Sequence, residues 1–374
     1  MREITLEPSE FMRFSVPHAL YLAGERQYAL GLGAIVAAVG LRLRAQVTET
    51  QEEFCLDLGP EAIPSPAVER SLWRWREALA RVVARDPQEL DGLRVSLDLS
   101  GTSACCPAEV ALGGPAVAVS LVCALRAHRG TERVTEAGEL ASLGGALLAE
   151  LPGEGRLRPE RFYAECFACL EGGALHVAPG CEPLNVQLLL PPDSLILVVP
   201  RAAASAPDAT GWEDRLQSGL RKTKGAADLV SATEDDLARL FKAAARPTAD
   251  KLDDGETAVL YGLLRVREMI QELLEGMGRP LQDHDRFAEL CDEESAILKD
   301  YFGFNAGQLE RVRQQAVESG ALGARLTHVF GGPPGLIVIA PGRRGEVRSA
   351  LARRARDCHV VPVDVDPTGV AAEA

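Results

Sequence analysis

Apolar and polar positions alternate through residues 13–48. Leu41 and Leu43 are interleaved with Arg42 and Arg44, the period of two that a half-buried strand requires. The pattern predicts two strands around a turn, SVPHALYLAGERQYALG and then GAIVAAVGLRLRAQV. Between 65 and 85 the spacing changes to three and four, with Val68, Leu72, Trp75, Leu79 and Val82 on one helical face. Leu93, Val95, Leu97 and Leu99 alternate as a strand, and a small-residue turn, SGTSACC, leads to Pro107 and a helix. Proline suits the first helical position because it has no N–H to lose there. That helix should bend or pause at 113–115, where Gly113, Gly114 and Pro115 follow one another. A helix at 136–150 turns Leu140, Leu143, Leu147 and Leu148 inward, and strands follow at 174–177 and 195–199.

Residues 201–211, RAAASAPDATG, read as an exposed connector. Beyond it the pattern is mostly helical, at about 233–245, 256–277, 286–302 and 306–319, with Thr233 and Asn305 as expected N-caps. The chain returns to β at GLIVIA (335–340), forms a helix near 345–355 and ends on HVVPVDV (359–365). Strands and helices alternate in both halves, which predicts a two-domain α/β or α+β protein, divided as 1–200 and 201–374.

The composition bounds the partners. Of the 374 residues, 40 are Lys or Arg and 54 are Asp or Glu, a net charge of −14. This disfavours nucleic acid and anionic membranes, which need basic patches. The first residues, MREITLEPSEF, are acidic and polar rather than secretory. No run reaches the roughly 20 apolar residues that span a bilayer. The nearest, 110–127, is interrupted by Gly113, Gly114 and Pro115. Nine scattered cysteines do not read as a disulfide framework, and a cytoplasmic protein is expected. Cys166 and Cys169 form one CxxC, weak evidence for zinc without a second pair.

Three segments, in order, resemble the signature motifs of galactokinases, within the GHMP small-molecule kinases. VPHALYLAGERQYALG, from Val16, resembles APGRVNLIGEHTDYNGG, matching at Pro17, Gly24, Glu25 and Tyr28 with one residue deleted after Gln27. GTSACCPAEVA, 101–111, resembles GLSSSASLEVA without a gap. GARLTHVFGG, 323–332, resembles GARMTGGGFGG, one residue short. AECFACLEGGALHV resembles the family's MDQFISLMG segment, and the helices before the third motif also keep the family's pattern. The resemblance spans nearly the whole chain. It implies an α+β two-domain GHMP kinase fold, with an N-terminal ribosomal-S5-domain-2-like nucleotide-binding domain and a C-terminal ferredoxin-like domain. It also implies ATP and Mg²⁺ as cofactors and a small sugar as substrate.

Phosphoryl transfer needs phosphates held, charge neutralised and an acceptor hydroxyl deprotonated. By the resemblance, the turn with Gly101, Thr102, Ser103, Ala104 and Cys105 would cradle phosphate at a helix N-terminus. Gly331 and Gly332 of the third motif would face it. Both features also read as ordinary small-residue turns. Ser103 and Glu150 fall on the family's Mg²⁺ ligands, though Glu150 also reads as a helix-end charge. Glu165 falls where the family places the acidic base, one methylene longer than the family's aspartate. Glu25 and Tyr28 fall on sugar-contacting positions, and Tyr28 also suits a core. The family's catalytic arginine falls on Ala19, for which Arg26 is a nearby substitute. Of the family's motif in the helix at 256–268, Arg265 remains.

Scaffold positions are kept while substrate-touching polar groups are mostly changed. Two functions are therefore carried forward: a galactokinase-like sugar kinase, and a catalytically impaired ATP- or sugar-binding sensor. A scaffold that kept only the fold stands third.

Overall fold

The computed structural model describes residues 3–4, 11–28, 33–51, 53–59, 65–82, 90–103, 108–128, 135–151, 160–178, 181–186, 193–201, 212–222, 252–276, 283–302, 307–330 and 334–373. The expected connector at 201–211, apart from Arg201, and the helix at 233–245 with its Thr233 cap lie outside these residues. So do Asn305, Pro107, Ala104, Cys105, Gly331 and Gly332.

The first sheet is built on β2 (Phe11–Ala23) and β3 (Ala34–Glu49), a long antiparallel ladder. β5 (Leu93–Asp98) pairs with the second half of β3 and β7 (Ala174–Val177) with the first. β4 (Cys55–Leu58) runs parallel to β5, β8 (Leu184–Asn185) extends β7, and β13 (Ala371–Glu373) lies outside β2. β1 (Glu3–Ile4) and β6 (Thr135–Glu136) form a separate pair. Along β3, residues 34–39 are all buried, and beyond them burial alternates. The first stretch is thus covered on both faces and the rest on one.

The helices of this half are α2 (Pro66–Val82), α5 (Pro115–His128), α6 (Ala137–Ala149) and α7 (Glu160–Glu171). Apart from Arg126 and His128, every residue of α5 is buried, which explains the long apolar run at 110–127 without a membrane. The expected pause falls as predicted: α4 (Ala108–Ala111) ends and α5 opens on Pro115. Gly114 at this joint is required by close approach, since a Cβ there would lie 2.6 Å from the Phe330 carbonyl oxygen. No described helix is long and apolar enough to cross a membrane.

The second sheet is antiparallel throughout, in the order β10 (Gly323–His328), β11 (Pro334–Ile339), β9 (Leu195–Pro200), β12 (Cys358–Val363). Read from β12 in chain order this is 4-1-3-2, the ferredoxin-like arrangement. α8 (Trp212–Lys222), α9 (Asp254–Gly276), α10 (Asp283–Asp300), α11 (Gln308–Glu318) and α12 (Arg344–Arg354) complete this half. β9 precedes residue 200 yet pairs inside this sheet, while β13, at the chain's end, pairs in the first. The chain therefore crosses between the sheets at β8–β9 and again at β12–β13.

Three expectations need correction. The first strand does not run on through 25–28: it ends at Ala23, because Gly24 turns left-handed (φ 76°) and α1 (Glu25–Tyr28) begins. The third motif is not a loop over its whole length: 323–328 are strand β10, held by a full register with β11. Helix α11 takes Gly307 at its N-cap position, with no side-chain cap bond.

Candidate functional site

The three motif segments are arranged along the β2–β3 ladder. At its inner end, Tyr21 is paired with Val36, and four residues earlier Pro17 is paired with Arg42. Four strand residues span about 13 Å. The second motif docks at the Pro17 level: a Cβ on Gly101 would lie 2.6 Å from the Arg42 carbonyl oxygen, so only glycine fits. The third motif docks further along. Thr327 and Arg325 reach the Tyr21 carbonyl, at 3.4 and 3.0 Å, and Phe330 stacks on His18 with ring centroids 4.0 Å apart.

The turn expected to cradle phosphate is a single helical turn, α3 (Ser100–Ser103). Asp98 accepts bonds from the Ser100 N–H (2.8 Å) and hydroxyl (3.0 Å). The Thr102 N–H and hydroxyl both donate to the Leu99 carbonyl, at 2.9 and 3.0 Å. The Ser100 and Thr102 donors are thus engaged within the turn itself.

The α1 corner gathers most of the remaining candidates. Tyr28 is buried and hydrogen-bonds the backbone of Ala164. Its hydroxyl is held well above the usual tyrosine range by burial first, then by the negative potentials of Tyr163, Cys166 and Glu165. Glu165 itself is buried in α7. The structure therefore brings Tyr28 and Glu165 together. Arg26 lies in the backbone of α1. Cys166 and Cys169 are buried on one face of α7, their thiols pushed well up by burial.

Glu25 faces the second sheet. Its carboxylate accepts the His328 N–H (3.1 Å) and the Thr327 hydroxyl (3.4 Å), and it pairs with the His328 ring at Nδ1. Beneath it lies a deeper pair that the motifs did not indicate. Glu294 of α10 accepts the Gly24 N–H (2.9 Å) and stands 3.4 Å from Arg325, both side chains almost fully buried. Arg325 is also 4.0 Å from Glu25. Burial raises the Glu294 carboxyl above its ordinary value, against the pull of Arg325 and Gly24 and with a push from Glu25. Its Oε2 atom has no hydrogen-bond partner among the described residues. The sequence did carry a signal for this pair: Glu294 lies on the buried stripe of Phe287, Leu290, Cys291 and Leu298, where an unpaired charge is not tolerated.

Ala19, at the position of the family's arginine, is fully buried in β2. Glu150 closes α6 and pairs with Arg81 at 3.7 Å, both about half exposed. Among the described residues, no group of three His, Cys, Asp or Glu side chains could hold a metal. The carboxylate of Glu150 is thus engaged in an exposed ion pair.

No protein-family model matches the sequence, and no curated protein matches it. Solved structures do match in fold. Lactococcus lactis galactokinase complexed with galactose superposes with a TM-score of 0.68 at 15% identity, over 98% of this chain and 95% of that one. Mevalonate kinase of L. major in complex with R-mevalonate gives 0.60 at 14% identity, over 98% and 99%. Methanococcus jannaschii mevalonate kinase gives 0.56 at 16% identity, over 95% and 98%. The chain has the two-domain α+β fold of these kinases, the GHMP kinase fold, along essentially its full length.

Proposed function

We propose that this protein is an ATP-dependent small-molecule kinase that phosphorylates a sugar hydroxyl, in the manner of a galactokinase. The observation that carries the reading is the arrangement of the three motif segments along the β2–β3 ladder, with Gly101 seated on Arg42, Phe330 on His18, and Thr327 and His328 on Glu25. The first and third motifs, far apart in sequence, are joined where β10 and α10 contact β2, and junctions between domains are where binding sites form. In this reading Glu165 accepts the proton of the acceptor hydroxyl as its oxygen attacks the terminal phosphorus and ADP leaves. Tyr28 and Glu25 line the substrate side, with Arg26 beside them. Phosphate contacts fall to the turn from Gly101 and Thr102 on through Ser103, Ala104 and Cys105, and to Gly331 and Gly332. No step is assigned to magnesium through Glu150. Coupled ADP release across a panel of sugars tests the proposal. Turnover that Glu165→Gln lowers about 100-fold or more supports it, that being the low end of what a positioned base contributes. Silence of wild type and variant alike, on every sugar, counts against it.

A second reading, a binding protein or sensor without turnover, is favoured by Ala19. A fully buried methyl group in β2 cannot neutralise transferring charge. Thermal shift with Mg-ATP and with sugars, alongside the ADP assay, separates the two: binding without turnover selects the sensor.

A further inference from the structure

We infer that the Glu25–His328 pair is an intramolecular latch at the α1 corner, displaced when a ligand rich in hydrogen-bond donors binds Glu25. The inference rests on the reading of Glu25 as a ligand contact. The corner is built in two tiers. The inner tier, Arg325 with Glu294, is almost fully buried and also holds the Gly24 N–H and the Tyr21 carbonyl, so it joins β10, α10 and the end of β2 permanently. The outer tier, Glu25 with His328, has side chains 13% and 20% exposed, so solvent and solutes reach it. Glu25 is carried on a helix of a single turn that follows a left-handed glycine.

The chemistry of the latch names its competitor. The His328 N–H and the His328 ring, both of β10, bond the Glu25 carboxylate, and the Thr327 hydroxyl of the same strand is shared between it, the Tyr21 carbonyl and the His328 carbonyl. A carboxylate stripped of donors in a half-buried site is costly, so a displacing ligand must supply donors of its own. A polyol with neighbouring hydroxyls does this, whereas an anionic ligand does not. His328 thus sets both the threshold and the selectivity of the site: it is an internal occupant of the position a sugar would take.

The test is calorimetric titration of full-length wild type, His328→Ala and the Glu25→Gln/His328→Ala double variant, with galactose as the probe and Mg-ATP titrated separately. Hydrogen exchange is followed at 24–28. Removing the imidazole should tighten galactose binding about tenfold or more, the worth of one charge-assisted hydrogen bond. It should also speed exchange at 24–28, leave Mg-ATP affinity unchanged, and lose its gain when Glu25 is also replaced. Equal galactose affinity in wild type and His328→Ala overturns the latch while leaving the sugar-site reading intact. Galactose binding to neither protein overturns the sugar-site reading and the latch with it. Unchanged exchange at 24–28 overturns the latch whatever the affinities.

Discussion

Two glutamates of the second half are equally little exposed, at 2%, yet lie at different depths, Glu256 beneath the half-exposed Lys222 and Glu294 in the interior, and they are treated in opposite ways. Glu256, in the first turn of α9, is saturated with donors. It receives Lys222 Nζ at 2.6 and 2.8 Å, the Ser218 hydroxyl at 2.5 Å and the Asp253 N–H at 3.0 Å. Its own N–H returns a 2.7 Å bond to Asp253, completing a reciprocal helix cap. Burial pushes its carboxyl up, but Lys222, Ser218 and the Asp253 N–H together hold it below the usual value. Glu294 has one N–H and one guanidinium at 3.4 Å, an oxygen without a partner among the described residues, and a raised carboxyl. Depth and the number of donors around it together decide what a covered acid becomes. The saturated acid ties α8 to α9, and the unsaturated one sits under the corner where the first and third motif segments meet.

The comparison can be broken most forcefully at Arg325. Arg325→Met leaves Glu294 buried without its cation and should lower unfolding stability by about 3–5 kcal/mol in urea titrations. A loss under about 1 kcal/mol would show that the inner tier is not an ion pair of consequence. Glu256→Gln removes a charged acceptor from a full set of donors, with an expected loss of about 1–3 kcal/mol by the same measurement. Lys222→Met sharpens that result, because Lys222 is 43% exposed and solvent screens it. Its loss should stay within about 1 kcal/mol, leaving the uncharged donors as the main support of Glu256.

The subtlest contrast is in pH dependence. The lowered carboxyl of Glu256 stabilises the fold above the ordinary carboxylate range, and that contribution fades as pH falls through its folded value. The raised carboxyl of Glu294 does the reverse: its contribution is complete below the ordinary range and is lost as pH rises through its folded value. Urea midpoints of wild type, Glu256→Gln and Glu294→Gln between pH 4 and 8, on the order of the range where carboxyls respond, should show advantages of wild type that change with pH in opposite directions. Parallel profiles would dissolve the distinction.

Much of the fold was legible where a local period decides it. The strand at Ala174–Val177 and the β5 alternation emerge as read, since side chains on a pleated strand face opposite sides and half of them must be apolar. The pause before Pro115 was legible because proline and glycine act on the backbone directly. The third motif was misread as a loop because its glycines suggested turns, yet the pairing partners that make 323–328 a strand lie in β11. The Arg325–Glu294 pair escaped notice because its members are separated by a helix end and a whole further helix.

By itself the sequence determined the local periods, the breaks between elements and the order of three motif segments, because backbone geometry and neighbouring side chains carry that information. The tertiary structure decided which charges share a site. Gly24 with Glu294, Glu25 with His328, and Tyr28 with Glu165 are each brought together across long stretches of chain. Burial strips their water and leaves each group to the donors that distant elements supply. That is why the saturated Glu256 and the under-supplied Glu294, indistinguishable as letters, part company only in the fold.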